Sequence, residues 1–225
     1  MKSNKKYTLN FHSIFNDEIS YHHDPIYSLH QDKLEELLNY IQLNTCNVNL
    51  SFDDGHLPDY QLVLPILKQL ELPAIFFVIG NSIQNNLEKR TQTKLIFDEG
   101  FLIGSHGYNH VDLRKLDDKT LENELKFSKE LTEEIIQAKI DSFSLPMGLY
   151  NKRVIEKIKS AGYKKIYTTE GFSNYEEDLL QHRINVKSNT NLVFLKKALN
   201  QKNDFFQLIF NSKLQFKFVL KKLLV

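Results

Sequence analysis

NLSFDDGHLPDY, residues 49–60, decides how the rest of the chain is read. An apolar run ends abruptly in two adjacent carboxylates, Asp53 and Asp54, followed at once by Gly55. Adjacent acids repel, and a strand end is a costly place to crowd charge, so the pair needs a task. The residues before it, NVNLSF (47–52), read as a strand. Working outward, KYTLNFH (6–12), PAIFFVI (73–79), FLIGS (101–105), SFSL (142–145), KKIYTT (164–169) and RINV (183–186) read as further short strands. Helical patterns lie between them. Residues 33–43 carry Leu34, Leu37, Leu38 and Ile41 in one stripe; 118–138 carry Leu121, Leu125, Leu131 and Ile135; 151–161 stop at Gly162. Alternating strands and helices predict an α/β fold with mostly parallel strands, either a barrel or a doubly wound sheet. In both, chemistry gathers at the C-terminal strand ends.

Three strand ends carry unusual residues. Besides Asp53 and Asp54, IGSHGYNH sets His106 and His110 after one strand, and SLPMG sets Pro146, Met147 and Gly148 after another. A carboxylate and two imidazoles suffice to hold one divalent ion while leaving positions open for water and substrate. The i, i+4 spacing of the histidines suits one face of a helical turn, whereas Gly107 between them argues for a tight turn. The zinc-protease pattern requires Glu directly after the first histidine, and Gly107 holds that place. Two His and one carboxylate also suit Fe(II) in an oxygenase, but that chemistry leaves Asp53 without a task.

These segments resemble the NodB-type polysaccharide deacetylases. SFDDG is similar to their Thr/Ser-Phe-Asp-Asp-Gly signature, and SHGYNHVDL to their Ser-His-x-x-x-His segment with its follow-on leucine, here Leu113. LPAIFFVIG resembles their Pro-Ala-Thr-Phe-Phe-Val strand, and PMGLYNKRVIEKIKSAGYKKIYTT their Pro-Tyr-Gly region. The likeness runs from about Tyr7 to Val186, with four elements in order. It implies a distorted (β/α)7-type barrel and a metal-dependent hydrolase that removes N-acetyl groups from an amino sugar in a polysaccharide, oligosaccharide or glycan precursor. Asp53 is then the general base, and Asp54, His106 and His110 hold a divalent ion, expected to be zinc. The backbone N–H of Met147 would hold the oxyanion. LNFHSIFND looks like an N-terminal segment that supplies the acid in related enzymes, making His12 the first choice and His182 the second. Many members place an arginine before the Pro-x-Gly motif, where Ser144 stands here, so Arg183 is the candidate replacement from another strand. The chain lacks Trp, which often walls the acetyl pocket. An O-acetyl esterase and a catalytically inactive carbohydrate-binding protein on the same fold are the alternatives.

Composition sets outer bounds. A length of 225 residues without repeats or linkers is read as one domain: a catalytic part over 1–190 and a basic tail over 191–225. A net charge of +1 gives no general reason to expect nucleic acid; the expected partner is an acetylated carbohydrate. The single cysteine, Cys46, excludes an internal disulfide and reads as a small packed residue. The N-terminus begins basic but has no apolar signal core behind it, and no apolar run reaches membrane-spanning length. The expected location is therefore the cytoplasm or the cytoplasmic membrane face. In the tail, seven lysines and Asp204 give a local charge of +6 among interleaved Phe and Leu. That pattern suits a helix docked on the barrel or a peripheral membrane contact. His56 reads as a solvated turn residue near the rim, Tyr108 and Tyr150 as half-buried aromatics, and His22, His23 and His30 receive no role.

Overall fold

The computed structural model describes residues 6–19, 24–44, 47–171 and 177–199. Strand β1 (Tyr7–Phe11) is followed by a small parallel pair, β2 (Ser13–Phe15) and β3 (Ser28–His30), and by helix α1 (Gln31–Asn44). Then come β4 (Val48–Phe52), α2 (Leu64–Gln69), β5 (Ala74–Val78), α3 (Gly80–Asn85), α4 (Leu87–Asp98), β6 (Leu102–Ser105) and α5 (Asp118–Ile136). The chain continues through β7 (Ser142–Ser144), α6 (Lys152–Ser160), β8 (Lys165–Tyr167), β9 (Leu180–Gln181), β10 (Arg183–Asn185) and α7 (Leu192–Leu199).

Eight parallel strands form one sheet in the order β10-β1-β4-β5-β6-β7-β8-β9. Only His182 separates β9 from β10, so these are two halves of one final stave. The first half bonds to β8 and the second to β1. With that pair counted once, the sheet curls into a nearly closed barrel of seven staves. The seam is continued by Thr168 N–H to Gln181 O (2.9 Å), Gly171 N–H to Arg183 O (3.0 Å) and Val186 N–H to Asn10 O (2.8 Å).

Strand alternation sorts side chains into two cores. Outside the barrel, Phe11, Phe52 and Phe76 stack across adjacent strands with centroids 5.1 and 5.0 Å apart. To the same hydrophobic core α1 contributes Leu34, Leu37, Leu38 and Ile41, the stripe visible in the sequence. Each such side chain stabilises the fold by roughly 1.5–3 kcal/mol. Helix α5 adds Leu121, Leu125 and Ile135, while Leu131 is only half-buried. Asp117 caps its start by accepting the Thr120 N–H, and Asn151 caps α6 by accepting that of Val154.

The stretch from 59 to 98 is more helical than its periodicity signals. Helix α2 is short and carries Pro65 in its first turn, and α4 turns the polar Gln92 and Thr93 inward beside Ile96. Inside the barrel the core is polar, centred on the fully buried guanidinium of Arg183 beside the contacting rings of Phe77 and Tyr167.

Helix α7 docks on the domain: Leu195 joins the core, and the Lys196 ammonium sits 5.1 Å from the centre of the Tyr40 ring. Residues 200–225, Cys46, His22 and His23 lie outside the described residues, and so does the membrane contact expected of the tail. No described helix is long and apolar enough to cross a membrane.

Candidate active site

The C-terminal ends of β4, β6 and β7 bring the three unusual segments to one rim. Strand β4 delivers Asp53 and Asp54 there, and the backbone then turns sharply. Asp54 adopts φ 76° and Gly55 φ 59°. The two carboxylates therefore diverge because Asp54 is left-handed, not because both continue an extended strand, as simple alternation would have it. After β6, Gly107 has φ 77° and His110 φ 54°, so His106 and His110 belong to a tight loop rather than one helical turn. After β7, Met147 has φ 56°. Left-handed non-glycine backbone costs of order 1–3 kcal/mol per residue and persists where surrounding structure over-determines it. Three of the five described examples sit in this site.

Asp54, His106 and His110 each offer one ligand atom, all within 4.8 Å of one another. Asp54 Oδ1 lies 3.5 Å from His106 Nε2 and 3.6 Å from His110 Nε2. His106 Nδ1 lies 2.9 Å from the Ser144 carbonyl oxygen, which only accepts, so the contact assigns the proton to Nδ1. Nε2 is left with its lone pair aimed at the cluster. This oxygen-and-imidazole donor set fits a divalent ion such as zinc. The loop is held from α5: the buried Glu124 carboxylate accepts the Asn109 backbone N–H and, at 2.9 Å, its side-chain amide. Sequence reasoning missed Glu124. Its signal was a carboxylate on the face of α5 that also carries Leu121, Leu125 and Ser128.

Asp53 is buried beside this cluster. Arg183 clamps it with two hydrogen bonds, Nη1 to Oδ1 at 2.8 Å and Nη2 to Oδ2 at 2.9 Å. Asn10 donates to Oδ2 at 2.9 Å and Ser144 Oγ to Oδ1 at 3.2 Å. Burial alone would raise the Asp53 pKa, but the Arg183 charge, with His106, holds it far below the ordinary carboxylate range. Arg183 also donates to Asn10 Oδ1 (2.7 Å), Ser144 Oγ (2.8 Å) and the Thr168 carbonyl (3.1 Å). The serine that stands where relatives often have arginine thus contacts the arginine that arrives from β10.

His12, one residue past β1, sets Nε2 3.9 Å from Asp53 Oδ2. Burial, opposed by Asp53 and Asp54, lowers its pKa to about 4. His182 is turned elsewhere, to Thr168 Oγ1 at 2.8 Å and Glu170 Oε2 at 3.2 Å. Met147 lies in the turn Pro146–Gly148 next to the carbonyl that orients His106, with its side chain half exposed. The solvated-turn reading of His56 is corrected: it is buried, with Nε2 3.3 Å from Asp54 Oδ2. The chain folds back because Asp59 donates its N–H to the His56 carbonyl and accepts the His56 N–H, each at 3.0 Å.

Fold and site together define a parallel α/β barrel with a candidate divalent-metal cluster and a clamped carboxylate at its C-terminal rim. A polysaccharide deacetylase family model matches residues 42–166, more than half of the chain, and the chain belongs to that family. It is 31% identical over 143 residues to the putative polysaccharide deacetylase YxkH of Bacillus subtilis, covering 62% of this chain and 51% of that protein. It is 33% identical over 120 residues to a peptidoglycan-N-acetylglucosamine deacetylase of Bacillus cereus, covering 53% and 54%. The matches span about half the length of these curated relatives. Among solved structures, the Streptococcus pyogenes deacetylase PplD in complex with acetate superposes with a TM-score of 0.78 at 19% identity, covering 88% of this chain and 99% of that one. The de-N-acetylase of Aggregatibacter actinomycetemcomitans gives 0.77 at 18% identity, covering 87% and 100%. At such identities the likeness shows the fold, and the barrel expected from the sequence is the barrel found.

Proposed function

We propose that this chain hydrolyses the N-acetyl groups of an amino sugar with one divalent ion, zinc being the expected metal, held by Asp54, His106 and His110. The observation that carries the reading is the convergence of those three ligand atoms beside a separate, buried carboxylate that stays ionised. Family membership and the peptidoglycan deacetylase among the relatives support the reaction class. When bound, the ion would polarise the acetamide carbonyl and acidify the attacking water.

Asp53 takes the proton of that water as it attacks. A carboxylate clamped by arginine is a weak base, so it passes the proton on readily. His12, neutral at pH 7 because of its burial and 3.9 Å away, would receive the proton and deliver it to the departing amine. The proton given to the leaving group is then the one removed from water. The Met147 N–H would donate to the oxyanion. The same residues would serve an O-acetyl ester, whose leaving group needs less help.

The test is to strip the purified chain of metal, reload it with zinc, and count bound ions before assaying acetate release from N-acetylglucosamine oligosaccharides. Wild type should hold about one ion per chain and release acetate. His106→Ala should lose the ion, and Asp53→Asn should keep it while losing about 10²-fold or more in kcat. Absence of a specific ion in wild type overturns the hydrolase reading in favour of a sugar-binding protein. Acetate release from O-acetylated sugars alone would make the chain an esterase.

A further inference from the structure

The two oxygens of Asp54 face different partners. Oδ1 looks toward His106 and His110, whereas Oδ2 lies 3.3 Å from Nε2 of His56. His56 is two residues farther along, past a left-handed turn that Gly55 makes possible: a Cβ there would stand 3.1 Å from Val78 Cγ1 at a φ of +59°. Its ring is 94% buried. The two bonds with Asp59, one through its backbone N–H and one through its carboxylate, close the turn and hold the imidazole beside the Asp54 carboxylate. Asp59 is itself buried and begins the irregular helical segment Asp59–Val63, which leads into α2, so the turn is anchored in the body of the fold.

A carboxylate that ligates a metal through one oxygen is free to rotate unless its other oxygen is held, and such outer contacts tune affinity. We propose that His56 is a positioning residue for the metal centre: with the ion bound, the imidazole closes from its 3.3 Å approach so that Nε2–H donates to Asp54 Oδ2, fixing Oδ1 toward the ion. This rests on the metal-site reading of Asp54, His106 and His110. Three features distinguish the role from ordinary packing: the ring is buried next to a charged group, the approach is by nitrogen, and the oxygen approached is the one not shared with His106 and His110.

The experiment uses the whole chain with zinc and cobalt(II). His56→Phe removes the donor and keeps a ring; it should weaken zinc binding about 10- to 100-fold in competition with a chelator. His56→Gln, whose amide nitrogen has similar reach, should bind within about threefold of wild type. The cobalt absorption bands should keep their wild-type positions and intensities in both variants, because the ligand set is unchanged. In zinc-loaded wild type, long-range 1H–15N spectra should show His56 with its proton on Nε2, a readout that does not depend on any variant folding.

Wild-type affinity in His56→Phe overturns the proposal, as does an Nδ1–H tautomer in wild type. A cobalt spectrum altered in His56→Gln would also overturn it, by making His56 a direct ligand. Failure of wild type to bind any ion sinks the metal-site reading itself, a result distinct from a wild type that binds and a His56 variant that binds as well.

Discussion

Asp53 accepts hydrogen bonds from three side chains, and none of its donors is a neighbour in sequence. Arg183 lies 130 residues away and supplies the charge that overrides burial. Sign and direction follow. With Arg183 in place the folded-state pKa of Asp53 is depressed, so its ionised form persists through neutral and moderately acidic pH. The stabilisation from this pair is full above the unfolded carboxylate pKa and is lost as pH falls through the folded one. Replacing Arg183 by Gln leaves burial as the dominant influence and raises the pKa of Asp53, the proposed base. Arg183→Gln should lower kcat/KM about 10²-fold or more and move the acidic limb of its pH profile to higher pH. It should also cost about 3–5 kcal/mol in urea unfolding, because it strands a buried charge. An acidic limb unchanged in the variant would show that Asp53 does not set it.

At the scale of elements, β6 shows how a strand positions groups it does not carry. Gly104 is the register partner of Phe77 on the neighbouring strand β5, and a Cβ there would overlap Phe77 Cε1 and stand 3.0 Å from the Ser142 carbonyl oxygen. Phe77 in turn lies 5.4 Å from the Arg183 guanidinium carbon. Gly104→Ala should therefore destabilise the fold by about 1–3 kcal/mol through overpacking. It should also weaken the clamp on Asp53, seen as an upward shift of the acidic limb in the same direction as Arg183→Gln. A change in urea midpoint without any change in the pH profile would confine the role of Gly104 to packing. The helices act differently. Their buried stripes seal the outer core, and α5 additionally sends Glu124 to the loop carrying His106 and His110. That carboxylate occupies a place where periodicity alone would put another leucine.

Across the whole molecule, the candidate ligand groups come from residues 54, 106 and 110, while the clamp comes from 183. The site therefore exists only when the barrel has closed. An ion that binds the closed form and not the unfolded chain raises stability by about 2.7 kcal/mol at one hundred times its dissociation constant. For a chain of this size that corresponds to a melting shift of about 5–10 °C. Thermal unfolding with zinc against a chelator should show this increase in wild type and little in His106→Ala. An equal shift in both would assign the effect to ions bound elsewhere.

The sequence by itself determined the strand and helix alternation, the stripe of α1, the end of α6 near Gly162, and the grouping of Asp53, Asp54, His106, His110 and Met147 at strand ends. Those features are local: they depend on side-chain period, on turn chemistry and on residues a few positions apart. The tertiary structure decided the rest. It split the last stave at His182, so that one half pairs with β8 and the other with β1. It faced Arg183 inward to Asp53 and turned His182 to Thr168 and Glu170. It also buried His56 against Asp54. No local pattern carries these outcomes, because each depends on strand register, on closure of the ring and on a left-handed turn. In a barrel, a shift of one residue in register turns a side chain from the interior to the outer wall.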